Sequence, residues 1–406
     1  MRKQISVMLF IVLFVGAIFV RSGISETLVI GAVVPLTGPA AVFGLGKMRA
    51  LEMRIEEYNA KGGLNIKGVN YKMKLVAYDH KTQPGEAVSV AKKLIYDDKT
   101  QYILAGAVGA CCRAAEVATI PNNVMFIFSC AGKELLGPDK PLNFRDTMSS
   151  AEQAPPLMAV VKKANPQIKT IAVLDTNDTT GWDATNAIIR AAEKVGITCV
   201  AKEYFERDVT DFHPVLARIL AKKPDLIDPC GTPLSTGCII LKQAYEMGYR
   251  GVKSWLGCGT AQGAIQMAGL EESEGLYLGS AWDAYDPNFN TSELGEKLKL
   301  YKKRYGDEWD YTGLGTYASA KIVFDTMVRA QSLDPNVIAK TMVETQPHQT
   351  FLGPAVFGME AYYGIKRQVL HPYVAGQLRK GKVVNAGFAL NEDLAKVIGT
   401  TWKFSK

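Results

Sequence analysis

The sequence predicts an α/β protein with two parallel-rich sheets, each covered by helices on both faces. Three observations lead there. Apolar runs of strand length alternate with helical periodicities almost without exception from Leu28 to Gly279, a pattern that favours parallel sheets. The alternation restarts after Asn143, so two such sheets are expected. The roughly 380 residues beyond the leader also exceed what one core usually holds, which predicts two domains.

Met1–Ser25 stands apart from the fold and reads as an export signal. Arg2 and Lys3 give a positive start, Val7–Val20 is an apolar core, and Gly23 and Ser25 are small residues at the −3 and −1 positions of a cleavage site. The alternative is a membrane anchor, but the run is shorter than the roughly 20 residues a spanning helix needs, and Arg21 interrupts it. No cysteine lies near the cleavage point, which argues against a lipid anchor. The mature chain then starts near Glu26, and an exported protein, periplasmic or extracytoplasmic, is expected.

The elements follow in order. Leu28–Val34 is an uninterrupted apolar run that suits a strand covered on both faces. Pro35 ends it, and Thr37, Gly38, Pro39 and Gly44 make a turn-rich connection. From Lys47, Met48, Leu51, Ile55 and Tyr58 recur at helical spacing until Gly62 and Gly63. Ligands bind outside the carboxyl ends of strands in open α/β sheets, so this glycine-bearing loop is the first candidate site. Tyr71–Asp79, Tyr102–Ala107 and Val124–Phe128 read as further strands, with helices marked by Ala87, Val90, Ala91, Leu94 and Ile95 and by Arg113–Ala118. Beyond Asn143, strands are expected at Ile171–Leu174, Cys199–Phe205, Leu226–Cys230, Val252–Leu256 and Leu276–Gly279, with a helix over Trp182–Val195. Ala318, Ile322 and Met327 mark a late helix, and HPYVAGQLRKGKVV reads as a hairpin turning at Lys380, Gly381 and Lys382.

Composition narrows the function. The formal charge is +7, and removing Arg2, Lys3 and Arg21 lowers it to +4. Basic and acidic residues are interspersed without a polybasic stripe, so nucleic acid is not an expected partner. There is no GxSxG elbow, P-loop or HExxH, and the four histidines, His80, His213, His348 and His371, are scattered. GLGKMRA at Gly44 lacks phosphate-loop spacing. Nothing calls for bond chemistry or a cofactor, and an exported α/β hydrolase is the alternative from another class.

VIGAVVPLTGPAAVFG, YNAKGGL, KLVAYDHKTQPGEAVSVAKKLI and IAVLDTNDTTGWDATNAIIRAAEKVGI together resemble the branched-chain amino acid class of ABC-transporter substrate-binding proteins. The similarity covers almost the whole mature chain. It implies a type I periplasmic binding fold, with two Rossmann-like lobes joined by a three-segment hinge and closing on a small ligand. On that template lobe 1 holds 26–146 and 283–369, lobe 2 holds 147–282 and 370–406, and the crossovers fall near Arg145, Trp282 and Leu370. The resemblance also implies an ABC permease of the inner membrane as partner and a monomeric protein. A receptor module feeding a sensor is the alternative within binding proteins.

Carried over residue by residue, the resemblance places ligand contacts at Ala110 and Cys111 in GAVGACCRAA, where the family's serine hydroxyl is missing and backbone N–H groups remain. Ser129, Ala131 and Lys133 in SCAGKE follow, Lys133 standing where a threonine is usual. In the second lobe Thr180 and Trp182 fall at the family's aromatic-glycine contact, Thr232 lies near a tyrosine position, and Gly259 lies near the acid that pairs with an amino acid's ammonium. A buried ammonium without a charge partner costs several kcal/mol, so losing that acid argues against an ordinary α-amino acid. Lys133 and Arg113 suggest a carboxylate or other anion instead; the alternative is that they face solvent or pair with Glu134 or Glu116. Phe43, Trp182, Trp282 and Tyr285 are the aromatic candidates for the cleft, with Trp309 and Tyr311 weaker ones.

Five of the seven cysteines, Cys111, Cys112, Cys130, Cys230 and Cys258, fall in loops at strand carboxyl ends. Neighbouring strand ends can bring Cα atoms within the roughly 4.4–6.8 Å a disulfide needs. An exported protein normally pairs its cysteines, so Cys111 or Cys112 with Cys130, and Cys230 with Cys258, are the expected pairs. A soft-metal site and free apolar thiols are the alternatives, although the spacing matches no zinc ribbon or iron–sulfur run. The expected function is delivery of a small organic solute, carboxylate-bearing and aromatic or amino-acid-like, to an ABC importer.

Overall fold

The computed structural model describes residues 25–38, 40–257, 261–279, 283, 286, 288, 291–306 and 309–404. The leader through Ile24, together with Pro39, Cys258, Gly259, Trp282 and Tyr285, therefore lies outside the described residues.

The first run contains β1 (Ser25–Val34), α1 (Ala41–Ala60), β2 (Leu64–Ile66), β3 (Val69–Asp79), α2 (Pro84–Tyr96), β4 (Tyr102–Gly106), α3 (Gly109–Thr119), β5 (Met125–Phe128) and β6 (Asn143–Arg145). The second run contains α4 (Ser150–Ala164), β7 (Thr170–Thr176), α5 (Thr179–Lys194), β8 (Thr198–Phe205), α6 (His213–Leu220) and β9 (Leu226–Asp228). It continues with α7 (Leu234–Glu246), β10 (Val252–Trp255), α8 (Ala261–Ala268), α9 (Leu270–Ser273) and β11 (Tyr277–Leu278). The chain then adds α10 (Ser292–Tyr305), α11 (Tyr311–Ala330), α12 (Pro335–Glu344), β12 (His348–Thr350), β13 (Gly353–Gly358), α13 (Glu360–Tyr363) and β14 (Gln368–Leu370). It closes with β15 (Tyr373–Arg379), β16 (Lys382–Ala389) and α14 (Glu392–Ile398).

These strands form two sheets. One is ordered β12-β13-β14-β6-β5-β4-β1-β3-β2 and the other β16-β15-β11-β10-β9-β7-β8. The chain passes between them three times, after β6, after β11 and after β14, which gives the expected three-segment hinge. β1, β3, β4, β5 and β6 run parallel, as do β7 to β11. Antiparallel pairing is confined to β2–β3 and β12–β13–β14 in one sheet and to β11–β15–β16 in the other.

Both faces of each sheet are covered. Ile30, Ala32 and Val34 pack with Leu51 and Ile55 of α1 and Val323 and Phe324 of α11, while Val33 and Ile103 pack with residues of α2 and α3 on the opposite face. In the second sheet Ile171 and Val173 meet α4 and α5, and Ala172 and Leu174 meet α6 and α7. Alternate residues of one strand face opposite layers, which is why these strands read as continuous apolar runs. No helix among the described residues is long and apolar enough to cross a membrane.

Each sheet has one topological switch point. In the first, β3 lies on one side of β1 and β4 on the other; in the second, β8 and β9 flank β7. The connections after β1 and β4, and after β7 and β9, therefore leave toward opposite faces and open a crevice between them, where open α/β sheets bind ligands.

Candidate functional site

In the first sheet the crevice begins where α1 follows the β1 loop. A Cβ at Gly44 would lie 1.8 Å from the Pro35 carbonyl oxygen, so only glycine lets the helix approach the loop this closely. Phe43, beside it, is 46% exposed. On the other side of the switch point, Val108 enters α3 with φ +67°. No side chain caps α3, and its first turn begins at Gly109 with Ala110 exposed. These uncapped N–H groups are unpaired donors at the positive end of an 11-residue helix. The Cys111 thiol is buried, and burial pushes it up to about 11, so only its backbone can face a ligand.

The β5 loop is fixed to this helix start. Cys112 and Cys130 form a disulfide, while Cys111, Cys199, Cys230 and Cys238 carry free thiols. Cys230 is thus not paired as expected, and Cys258 lies outside the described residues. Alkylation of the unfolded, unreduced protein is expected to label Cys111, Cys199, Cys230 and Cys238 and to spare Cys112 and Cys130. Label on Cys112 or Cys130 in the peptide map would contradict the pairing.

Ser129 belongs to a buried network. Lys47, fully buried, donates to Ser129 Oγ at 2.5 Å, Thr316 Oγ1 at 2.6 Å and Asp146 Oδ2 at 3.1 Å. Thr316 donates to the same carboxylate at 2.8 Å, and Ser129 donates to its other oxygen. Burial pulls the Lys47 ammonium below the ordinary lysine value, against the pull of the Asp146 charge. The single Ser129 proton is committed to Asp146, so its hydroxyl can only accept from a ligand.

Ala131 is exposed beside this loop. Lys133 is exposed too, but its ammonium sits over the Tyr362 ring, 4.4 Å from the centroid. Arg113 forms an ion pair with Glu134, one of the alternatives left by the sequence. Glu116 instead takes Lys140 at 2.8 Å.

The second lobe presents a different surface. Asp178 accepts from the Thr180 and Gly181 N–H groups at 3.0 and 3.1 Å, and Arg207 reaches its other oxygen at 2.6 Å. The amino end of α5 is thus occupied by its own carboxylate. A Cβ at Gly181 would lie 2.1 Å from the Thr176 carbonyl oxygen, so this turn also requires glycine. Thr180 is exposed; Trp182 is 43% exposed, with its indole N–H on Asn177 Oδ1 at 3.2 Å. Thr232 is only 1% exposed, and its buried hydroxyl has no hydrogen-bond partner.

Beneath these loops lie two buried carboxylates. Asp175 accepts from the Gly231 N–H at 2.7 Å; Asp228 accepts from the Cys230 N–H at 2.6 Å and from Ser254 Oγ at 2.5 Å. Burial pushes each up to about 6.

Ala110, Cys111, Ser129 and Ala131 thus lie beyond the carboxyl ends of β4 and β5 in the nine-stranded sheet, and Thr180, Trp182 and Thr232 lie beyond those of β7 and β9 in the other. Gly259 and Trp282 lie outside the described residues. Trp309 is buried and stacked on Tyr301, with centroids 4.5 Å apart, and the half-buried Tyr311 bonds the Met148 N–H and His371 through its hydroxyl. The sequence reading missed Lys47, whose signal was its place on the apolar stripe with Leu51 and Ile55. The acids Asp175 and Asp228 gave no signal beyond ending apolar strands.

Residues 27–382 match the family described as periplasmic binding protein. The Leu/Ile/Val-binding protein of Escherichia coli (strain K12) is 25% identical over 339 residues, covering 83% of this chain and 88% of that protein. The amino acid ABC transporter substrate-binding protein from Pseudomonas fluorescens Pf-5 superposes with a TM-score of 0.75 at 19% identity, over 93% of this chain and 100% of that one. A solute binding protein of an ABC transporter from Rhodopseudomonas palustris BisB5, in complex with 3,4-dihydroxy benzoic acid, superposes with a TM-score of 0.72 at 19% identity, over 91% and 99%. With two doubly wound sheets, three crossings and a family match over most of its length, the chain belongs to the periplasmic binding protein family.

Proposed function

We propose that this chain is the periplasmic solute-binding component of an ABC importer and that it closes on a small organic carboxylate with an aromatic body. The observation that carries the reading is the contrast between the two helix starts at the switch points. The first turn of α3 is uncapped and held beside the β5 loop by Cys112–Cys130, whereas α5 already carries Asp178. A ligand carboxylate belongs on the α3 amides at Ala110 and Cys111. Ser129 accepts from a ligand hydroxyl or N–H. Phe43 and Trp182 supply aromatic walls, and Ala131, Lys133, Thr180, Thr232, Gly259 and Trp282 complete the lining.

In this reading lobe 1 (26–146 and 283–369) and lobe 2 (147–282 and 370–406) hinge together, because a ligand touching both gains its full contacts only when they close. The leader through Ser25 exports a monomer, a membrane permease receives the closed form, and no bond chemistry takes place. The complex with 3,4-dihydroxy benzoic acid in a protein of the same fold supports an aromatic acid, and the name of the Escherichia coli relative supports an amino acid.

The test is a thermal-shift screen of the mature protein against benzoate, 3,4-dihydroxybenzoate, aliphatic carboxylates, amides, leucine, valine and soft metal ions. A ligand at about 100 times its Kd stabilises by about 2.7 kcal/mol. Stabilisation by aromatic carboxylates, abolished by Ala110→Glu, is expected. A response to leucine or valine alone would overturn the aromatic reading, and a response to metal alone would overturn the carboxylate site.

A further inference from the structure

We propose that Tyr363 is a positioning residue for ligand binding, its hydroxyl forming a latch across the hinge that sets how readily the two lobes close. The proposal rests on the reading that the chain closes on a ligand. Tyr363 lies in α13, between β13 and β14 of the nine-stranded sheet. Glu152 lies in the first turn of α4, which packs on α5, β15 and β16 of the other lobe. The Tyr363 hydroxyl donates to Glu152 Oε1 at 2.9 Å and accepts from Arg145 Nη1 at 2.8 Å, with Ser149 Oγ at 3.3 Å. Among the described residues no ion pair joins Arg145 to Glu152; the phenol carries the connection between a cation of one lobe and an anion of the other.

Every neighbour is fixed. The second oxygen of Glu152 takes the Ser149 N–H at 2.7 Å, closing a capping box on α4. Arg145 also donates to Gln368 Oε1 at 2.9 Å, and Gln368 donates to the Thr147 carbonyl at 2.8 Å. Arg145, Glu152, Gln368 and Tyr363 are all buried. The first crossing is thus tied to α13 through the phenol and to β14, ahead of the third crossing, through Gln368.

The same crossing strand holds the candidate ligand loop at both ends. Arg145 Nη2 donates to the Gly132 carbonyl at 2.5 Å, and Ser129 donates to Asp146. Swinging α4 away from the nine-stranded sheet would pull Glu152 off the phenol whose other partner, Arg145, holds Gly132. A contact present in one lobe arrangement and absent in another biases that equilibrium, and apparent affinity follows the population of the competent arrangement.

Tyr363→Phe removes the hydroxyl and keeps the ring. In the mature protein without ligand, small-angle X-ray scattering is expected to show a larger radius of gyration than wild type. Calorimetric titration with 3,4-dihydroxybenzoate is expected to show binding about 10- to 150-fold weaker, the size of one lost hydrogen bond to charged groups. Glu152→Gln leaves one oxygen for the Ser149 N–H of the capping box and removes the charged acceptor of the phenol; it should shift both readouts in the same direction, and it decides the question should Tyr363→Phe fail to fold. Scattering that superimposes on wild type would overturn the latch, even with a lower Tm, because a purely structural role moves stability alone. If wild type binds none of the screened carboxylates, the ligand reading fails while the scattering still decides the latch.

Discussion

Asp146→Ala is expected to lower the free energy of unfolding by about 3–5 kcal/mol, the usual cost of leaving a buried charge without its partner. Lys47 and Asp146 are both fully buried, 3.1 Å apart. The Lys47 ammonium spends its three protons on Asp146, Ser129 and Thr316, and both hydroxyls in turn donate to Asp146. Without the carboxylate the ammonium keeps two neutral hydrogen-bond acceptors and the charge of Asp310, to which it makes no hydrogen bond among the described residues, and both hydroxyls lose their acceptor. Lys47→Met in the same chain should recover much of the loss, since an apolar residue of similar length avoids the desolvation cost altogether. Urea unfolding of wild type, both single variants and the double variant measures this as a cycle. A loss below about 1 kcal/mol in Asp146→Ala would show that the pair is not holding this part of the fold.

The second large effect is on pH dependence. Asp175 and Asp228 hold their protons up to about 6 in the folded chain, while an unfolded aspartate releases its proton near 3.9. Between about pH 4 and pH 6 the folded state therefore binds more protons than the unfolded one, and the contribution of each acid falls as pH rises. It is fully present below the unfolded value and lost above about 6, and burying each charge at neutral pH costs about 3 kcal/mol.

Other groups titrate nearby. Burial lowers His80, His348 and His371, which makes stability rise with pH toward 6.5 and opposes the two acids. The informative quantity is the difference between wild type and Asp228→Asn, in which the histidine contributions cancel. Wild type is expected to lose about 2 kcal/mol more than the variant between pH 4.5 and pH 7.5, read from urea unfolding at each pH. Parallel stability curves for the two proteins would refute the buried-acid account.

Much of the fold was legible because its signals are local. Leu28–Val34 reads as a covered strand because its residues are apolar on both faces, and β1 has a helix layer on each side. Helix starts were less legible. α1 begins at Ala41 and α3 at Gly109, ahead of the expected Lys47 and Arg113, because alanine, glycine and cysteine give no amphipathic stripe. β12 and β14 are three residues long, too short to carry a period, and exist through pairing with β13 and β6.

The candidate site divides in the same way. That the loops after β1, β4, β5, β7 and β9 face the crevice follows from strand direction, and strand direction followed from the alternation of elements. What each loop can offer does not. Gly132 is tied to Arg145, thirteen residues on, and Ser129 to Lys47, eighty-two residues back. Lys133, an anion anchor by sequence, rests on Tyr362; Cys230, half of an expected disulfide, is a free thiol.

By itself the sequence determined the α/β class, the two sheets and the order of the loops that line the crevice, since hydrophobic period and turn residues act over a few neighbours. Only the tertiary structure decided which polar groups there are already spent. Lys47 finds Thr316 across 269 positions, and Tyr363 finds Glu152 across 211. The partner of a buried charge is set by the packing of layers remote in sequence, because an unpaired charge is costly in a low-dielectric interior.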